Sequence, residues 1–168
     1  MIKKLIHIDD FFEDPQFLYG SIANLRFQPT EFGAEIEQFN LVTPNIGTTF
    51  SAILGEQVTV DEERSGIFRR PSGFIHFEGF DSPTDWIFAV ALHETIFNVW
   101  HHKDKTTNRV DSMDALHSYK HDYRDLFSWE NKSNITLKPN NCVFFRPWLF
   151  HSFIGGCTHM YFLRGETK

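Results

Sequence analysis

From Val58 onward the chain is a succession of short apolar runs, each bounded by turn residues: VTV, SGIFRR, GFIHFEGF, DWIFAVAL, IFNVWHH, NITL, NCVFF, LFHSF and THMYFL. Runs of this length rich in β-branched and aromatic residues predict strands, and many such strands in sequence predict a sandwich or barrel. One stretch breaks the rule. Over residues 112–129, Met113, Leu116, Tyr119, Tyr123, Leu126 and Phe127 recur at helical intervals, which predicts a helix inserted between two strands. Ahead of Val58 the pattern is different again. Lys3 to Ile8 alternates weakly, as an edge strand does, and Asp14-Pro15 offers an N-cap and a first-turn proline for a helix running to about Leu25. Residues 27–44 are punctuated by Pro29, Gly33 and Pro44, and Thr48 to Gly55 predicts a second short helix. The expected architecture is mainly β with flanking helices. It is expected to be a single domain over 1–168, with an N-terminal segment to about residue 57 and a strand core over about 58–164.

Composition narrows the class. Of 168 residues 41% are hydrophobic, nineteen of them Phe and four Trp, enough for a sizeable core in which most of those aromatics belong. A formal charge of −6 and a pI of 5.8 exclude a surface built to track phosphates, so no general nucleic-acid binding is expected. No run approaches the roughly 20 apolar residues that cross a bilayer, and MIKKLIHIDDFFEDP turns acidic before a signal-type run develops. The expectation is a soluble, cytoplasmic protein with no membrane partner. Cys142 and Cys157 have no CxxC spacing and read as core thiols. Nucleotide-binding glycine motifs and a GxSxG elbow are absent from the sequence.

In GFIHFEGFDSP, strand alternation puts His76 and Glu78 on one face while Ile75 and Phe77 point the other way. Gly79, Asp81, Ser82 and Pro83 follow, so the pair stands where a strand gives way to a loop. Further on, NNCVFFRPWLFHSFIGG offers an apolar strand, a corner at Pro147, and His151 inside an aromatic run. A bare His-x-Glu is more often an exposed strand pair; the distal histidine after the proline corner turns the balance toward a metal site. Two histidines and one carboxylate on one face of a metal leave other positions open, the facial triad of non-haem iron(II). His117 and His121 share a helical face but lie on a solvated flank, and of His101 and His102, neighbours on a strand, at most one can face a site.

With HFE followed by a distal FHSF, both set in short strands, the chain resembles the iron(II)- and 2-oxoglutarate-dependent oxygenase superfamily. The usual motif there is HxD, with HxE in some members. The likeness covers about Arg69 to Leu163, since IHFEGFDSPTDWIFAVAL, VWHHKDKTTNRV, LFSWE and NCVFFRPWLFHSF come in the order seen in a branch of small members. It implies a double-stranded β-helix, a cupin-like jelly roll, with iron(II) on His76, Glu78 and His151. It further implies 2-oxoglutarate as cosubstrate and hydroxylation of a small-molecule or peptidyl substrate. Both histidines would bind as neutral imidazoles, so metal affinity should weaken as pH falls through the histidine range.

Two departures from that superfamily stand out. Its members anchor the far carboxylate of 2-oxoglutarate with an Arg or Lys shortly after the distal histidine. With THMYFL as the last core strand that position falls near Gly156, and the nearest arginine, Arg164, comes after the strand. Arg164 is the first candidate anchor; Arg146, Arg109 and Arg70 are the others. The branch's Gly-Thr is replaced by Asn98-Val99. Two rival readings stay open: a cupin-like metalloprotein that does not use 2-oxoglutarate, and a catalytically silent jelly-roll binding module. Specificity is expected in the Asp81 to Asp85 loop and the Lys103 to Trp129 insertion, and oligomeric state is not legible in the pattern.

Overall fold

The computed structural model describes residues 4–22, 28–30, 33–36, 45–69, 75–78, 82–104 and 126–166. Ten strands and two α-helices run in the order β1 (Leu5–Ile8), α1 (Gln16–Ile22), β2 (Gln28–Thr30), β3 (Gly33–Ile36), α2 (Ile46–Leu54), β4 (Val58–Arg69), β5 (Trp86–Ala91), β6 (Thr95–His102), β7 (Trp129–Leu137), β8 (Cys142–Phe145), β9 (His151–Ile154) and β10 (Thr158–Gly165). They form a seven-stranded sheet, β1-β8-β5-β10-β4-β3-β2, and a three-stranded sheet, β7-β6-β9. Every pairing is antiparallel, and residues 75–78 join the smaller sheet beside β9 through one bridge, His76 to His151. From β4 onward the chain passes back and forth between the two layers, the winding of a double-stranded β-helix.

The apolar pattern explains the layering. β5, WIFAVA, is buried at every position because it is central and covered on both faces, and so it reads as a continuous apolar run. Its odd residues, Ile87, Ala89 and Ala91, face the smaller sheet and meet Phe97, Phe145 and Phe153 between the layers. Its even residues, Trp86, Phe88 and Val90, face the other way and pack with Phe50 of α2, Phe144 and Tyr161. The Phe50 and Phe88 rings lie 4.6 Å apart, and Phe88 and Phe144 4.9 Å. α2 thus closes the outer face of the large sheet and ends at Gly55, whose φ of 70° lets its N–H donate to the Ser51 carbonyl. Cys142 and Cys157 are buried thiols in this outer core, not joined to each other, and burial pushes the Cys142 thiol well above its ordinary pKa. Asn140 and Asn141 bind the N-terminal arm, Asn140 through the N–H and carbonyl of Phe12, Asn141 through the N–H of Asp10 and the carboxylate of Asp9.

Some elements differ from the pattern-based expectation. VTV and the SGIFR of SGIFRR belong to one twelve-residue strand, β4, whose polar middle is a bulge. GFIHFEGF is no regular strand where it is described, for only His76 makes ladder bonds within 75–78. The helix expected over 112–129 lies mostly outside the described residues; Leu126–Ser128 is a single 3-10 turn, and Trp129 opens β7 instead of ending a helix. Trp129 is held there by pairing with His102 and by the Phe150 ring at 4.7 Å, contacts no local periodicity encodes. The β9–β10 turn uses Gly156 at φ 64°, where a Cβ would meet the Glu94 carbonyl oxygen at 2.5 Å. Among the described residues, no helix is long and apolar enough to cross a membrane.

His159 is buried on the outer face of the large sheet, the face it shares with Ile67 and Val90, its ring 4.3 Å from that of Tyr161. Neither ring nitrogen has a hydrogen-bond partner among the described residues, and burial pulls its pKa down from 6.5 to about 4. The unfolded chain therefore takes up a proton that the folded chain refuses between those two values, so this contribution to stability is whole above pH 6.5 and is lost as pH falls toward 4. Urea unfolding over that window should show a loss of roughly 3 kcal/mol from this residue, and His159→Phe should flatten that part of the profile.

Candidate metal centre

Strand parity at β9 decides what faces the interior. His151 and Phe153 point between the layers, against Phe145 and Phe97, while Phe150 and Ser152 point outward. The 75–78 segment runs alongside. The His76 N–H donates to the His151 carbonyl at 2.9 Å, the His151 N–H donates to the His76 carbonyl at 2.8 Å, and the Glu78 N–H donates to the Pro147 carbonyl at 2.8 Å. Ile75 and Phe77 anchor the segment from outside, in a small cluster with Trp100, Trp129 and Phe150. His76 and Glu78 are thereby turned inward beside His151.

The three side chains converge. One donor atom from each of His76, Glu78 and His151 lies within 4.8 Å of the others, in a group buried at His151 and half-buried at the other two. Nε2 of His76 is 3.0 Å from Oε1 of Glu78, and the two imidazole rings are 4.3 Å apart. Nδ1 of His151 lies 2.9 Å from the Leu149 carbonyl oxygen. A carbonyl only accepts, so Nδ1 carries a proton, and in the neutral imidazole Nε2 then presents its lone pair, 3.8 Å from Oε1 of Glu78. A lone pair and a carboxylate facing each other in a buried pocket repel, and a cation between them removes the repulsion. The donor set of two imidazoles and one carboxylate suits a divalent first-row metal.

Behind the site, β9 is fixed to β6 by polar bonds on the outer face. The Ser152 hydroxyl accepts from Nε1 of Trp100 at 2.9 Å and from the Asn98 amide at 3.4 Å, while the Asn98 carbonyl oxygen accepts from Asn131 and Asn134 at 2.7 and 2.9 Å. Asn98, legible in the sequence only as a departure from a family pattern, is thus a buried hub of the small sheet.

The arginines singled out from sequence lie elsewhere. Arg164 is exposed, and its Nε and Nη2 donate to one carboxylate oxygen of Asp61 at 2.9 and 2.7 Å. Arg146 is buried on the outer side of the large sheet, stacked on Trp86 at 3.8 Å and bonded to the Glu56 carboxylate and the Asp85 carbonyl. Arg70 and Arg109, like His117 and His121, fall outside the described residues. Of the neighbouring histidines, His102 packs outward on Trp129 and His101 lies on the opposite, inner face of β6. Arg64, unremarked in the sequence, bonds to the Glu78 carbonyl; its signal is the polar run DEERS interrupting a strand.

No protein-family model matches the chain, and no curated protein matches it. Solved structures do. SnoN, a non-heme alpha ketoglutarate dependent epimerase from nogalamycin biosynthesis, superposes with a TM-score of 0.63 at 11% identity, over 95% of this chain and 78% of that one. HygX from Streptomyces hygroscopicus, with nickel and 2-oxoglutarate bound, gives 0.62 at 10%, over 98% and 83%. The carbocyclase SnoK, also from nogalamycin biosynthesis, gives 0.58 at 10%, over 95% and 79%. At such identities the likeness speaks for fold. The chain is a cupin-like jelly roll, and a His-Glu-His cluster stands between its layers.

A cluster that binds a divalent cation should show it as stability. Titrating the metal-free protein with iron(II), manganese(II) or nickel(II) under nitrogen should raise the thermal midpoint, by about 2.7 kcal/mol of stabilisation at a hundred times the dissociation constant. Glu78→Ala and His151→Ala should abolish the rise.

Proposed function

We propose that this protein is an iron(II)- and 2-oxoglutarate-dependent oxygenase that hydroxylates a small molecule, with His76, Glu78 and His151 as its metal ligands. The observation that carries the reading is the convergence of those three donors on the inner face of the jelly roll. With 2-oxoglutarate and dioxygen, the ferrous ion would supply the oxidising power needed to break a C–H bond. The protein's own residues do the rest. The Leu149 carbonyl fixes the His151 ring with Nδ1 as the donor and Nε2 turned inward. The Pro147 carbonyl and the His76–His151 bridge hold the Glu78 carboxylate beside both imidazoles, so two ligands from a loop edge meet a third from a strand. Phe97, Phe145 and Phe153 pack around His151 and keep bulk water from that side of the site. Neighbours in fold lend support: SnoN is described with Fe3+, alpha ketoglutarate and nogalamycin RO, and HygX with nickel, 2-oxoglutarate and hygromycin B. Nogalamycin RO and hygromycin B are small molecules, which favours that class over a peptidyl side chain here.

A second reading, a cupin-like metalloprotein that does not use 2-oxoglutarate, draws on the engagement of Arg164 by Asp61. One experiment separates the two. Anaerobic addition of 2-oxoglutarate to the iron(II)-loaded protein should produce a weak charge-transfer band in the visible, absent in His151→Ala and Glu78→Ala. Iron binding without the band would favour the second reading.

A further inference from the structure

We propose that Arg64 is a positioning residue of the metal centre, clamping the backbone of Glu78 from the large sheet so that the Glu78 carboxylate is aimed before a cation arrives. The inference rests on the oxygenase reading of the site and its three ligands. It starts from the bulge in β4. From Met160 to Phe162, β10 advances two residues, whereas its partners in β4 run from Gly66 to Asp61, five residues. The extra length is a built feature. The buried Ser65 hydroxyl donates to the Asp61 carbonyl at 2.7 Å and accepts the Phe162 N–H at 3.2 Å, closing the loop of chain on itself. Bulges of this kind re-aim side chains at the rims of barrels.

Here the side chain re-aimed is Arg64. Its guanidinium carbon stands 4.5 Å from the centroid of the Phe162 ring, and Nη2 donates to the Glu78 carbonyl at 3.0 Å. The aromatic face supports the planar guanidinium while its edge donates. Asp61, the acid at the foot of the bulge, is taken by Arg164 at 2.7 Å, which leaves Arg64 to the carbonyl.

The 75–78 segment is thereby tied to both layers. His76 exchanges N–H and carbonyl with His151 of the small sheet, and the Glu78 N–H donates to the Pro147 carbonyl at the corner between β8 and β9. The Glu78 carbonyl is bonded to Arg64 of the large sheet. One peptide group on each side of the Glu78 Cα is therefore held. Peptide groups are planar, so holding both fixes the two backbone torsions between them and the direction in which the side chain leaves. That direction brings Oε1 to 3.0 Å from Nε2 of His76 and 3.8 Å from Nε2 of His151. A ligand aimed in advance loses less freedom when the metal binds, and the affinity is higher for it.

The sign of the effect separates a clamp from a bare charge. A guanidinium near the cluster repels a divalent cation, so if charge were its whole influence, removing Arg64 would tighten metal binding. The clamp predicts the reverse.

The test titrates manganese(II) into the metal-free full chain under nitrogen by calorimetry. Cobalt(II) is added in parallel, because its visible absorption reports the arrangement of the ligands. Arg64→Met should weaken manganese(II) binding roughly 3- to 10-fold, the scale of one hydrogen bond, and change the intensity of the cobalt(II) bands. Arg64→Lys, which keeps the charge and a donor, should recover part of the affinity. The thermal midpoint of the metal-free chain should hardly move in either variant, because Arg64 is exposed. Binding unchanged or tightened in Arg64→Met overturns the inference. So does Arg64→Lys binding as weakly as Arg64→Met, and so does a metal-free midpoint that falls in step with affinity, which would make Arg64 a general stabiliser. Each of these results leaves the oxygenase reading standing. Wild type that binds neither metal overturns both.

Discussion

Two backbone hydrogen bonds between His76 and His151 hold the site together. Among its described residues, 75–78, the segment that carries His76 and Glu78 joins the sheet through that bridge and the Glu78 N–H bond to the Pro147 carbonyl, so its place depends on the exchange of N–H and carbonyl groups with chain far away in sequence. In an antiparallel sheet, directly bridged residues project to the same side. The bridge therefore does more than fasten the segment, since it obliges the two imidazoles to emerge side by side. The aromatic cluster of Trp129, Phe150 and Phe77 covers the outer side of the bridge and shields its hydrogen bonds from water.

That local constraint works because two cores surround it. Phe50 and its neighbours under α2 fix the large sheet, and the interlayer residues fix the distance between the sheets. Parity does the sorting: along β9 and the 75–78 segment the inward residues are the candidate ligands His76, Glu78 and His151 and the interlayer Phe153, and the outward ones are the anchors Ile75 and Phe77, Ser152 of the polar network and the exposed Ile154. A slip of one residue in either segment would exchange the candidate ligands for anchors, so register and chemistry are one problem in this fold.

At the edge of the site the fold distributes its arginines by role. Arg146 is a structural cation, sandwiched by Trp86 and Glu56 on the outer face. Arg164 is paired with Asp61, and Arg64, an exposed residue, lies over the Phe162 ring and bonds to the Glu78 carbonyl. The protein is acidic overall, so a cation at the mouth acts locally against the wider field. It is also bonded to the backbone of Glu78, the one carboxylate of the cluster.

Much of this was legible in the chain. Apolar runs located β5, β6, β8, β9 and β10, a helix-like run located α2, and alternation in IHFE set His76 and Glu78 opposite Ile75 and Phe77. These are local properties: a period of two or 3.6 and a change of polarity are written in neighbouring residues. The partnership of β4's halves, the opening of β7 at Trp129 and the role of Asn98 were not legible, for each depends on residues brought from distant parts of the chain. Arg64 makes the point most sharply. Within DEERS it reads as one more exposed charge, and only the bulge against β10 aims it at Glu78. The sequence by itself determined the strand periods, the sidedness of each strand and the chemical kinds of donor available. Tertiary structure alone decided which donors meet, because convergence is set by the pairing of strands far apart in sequence, where local pattern carries no information.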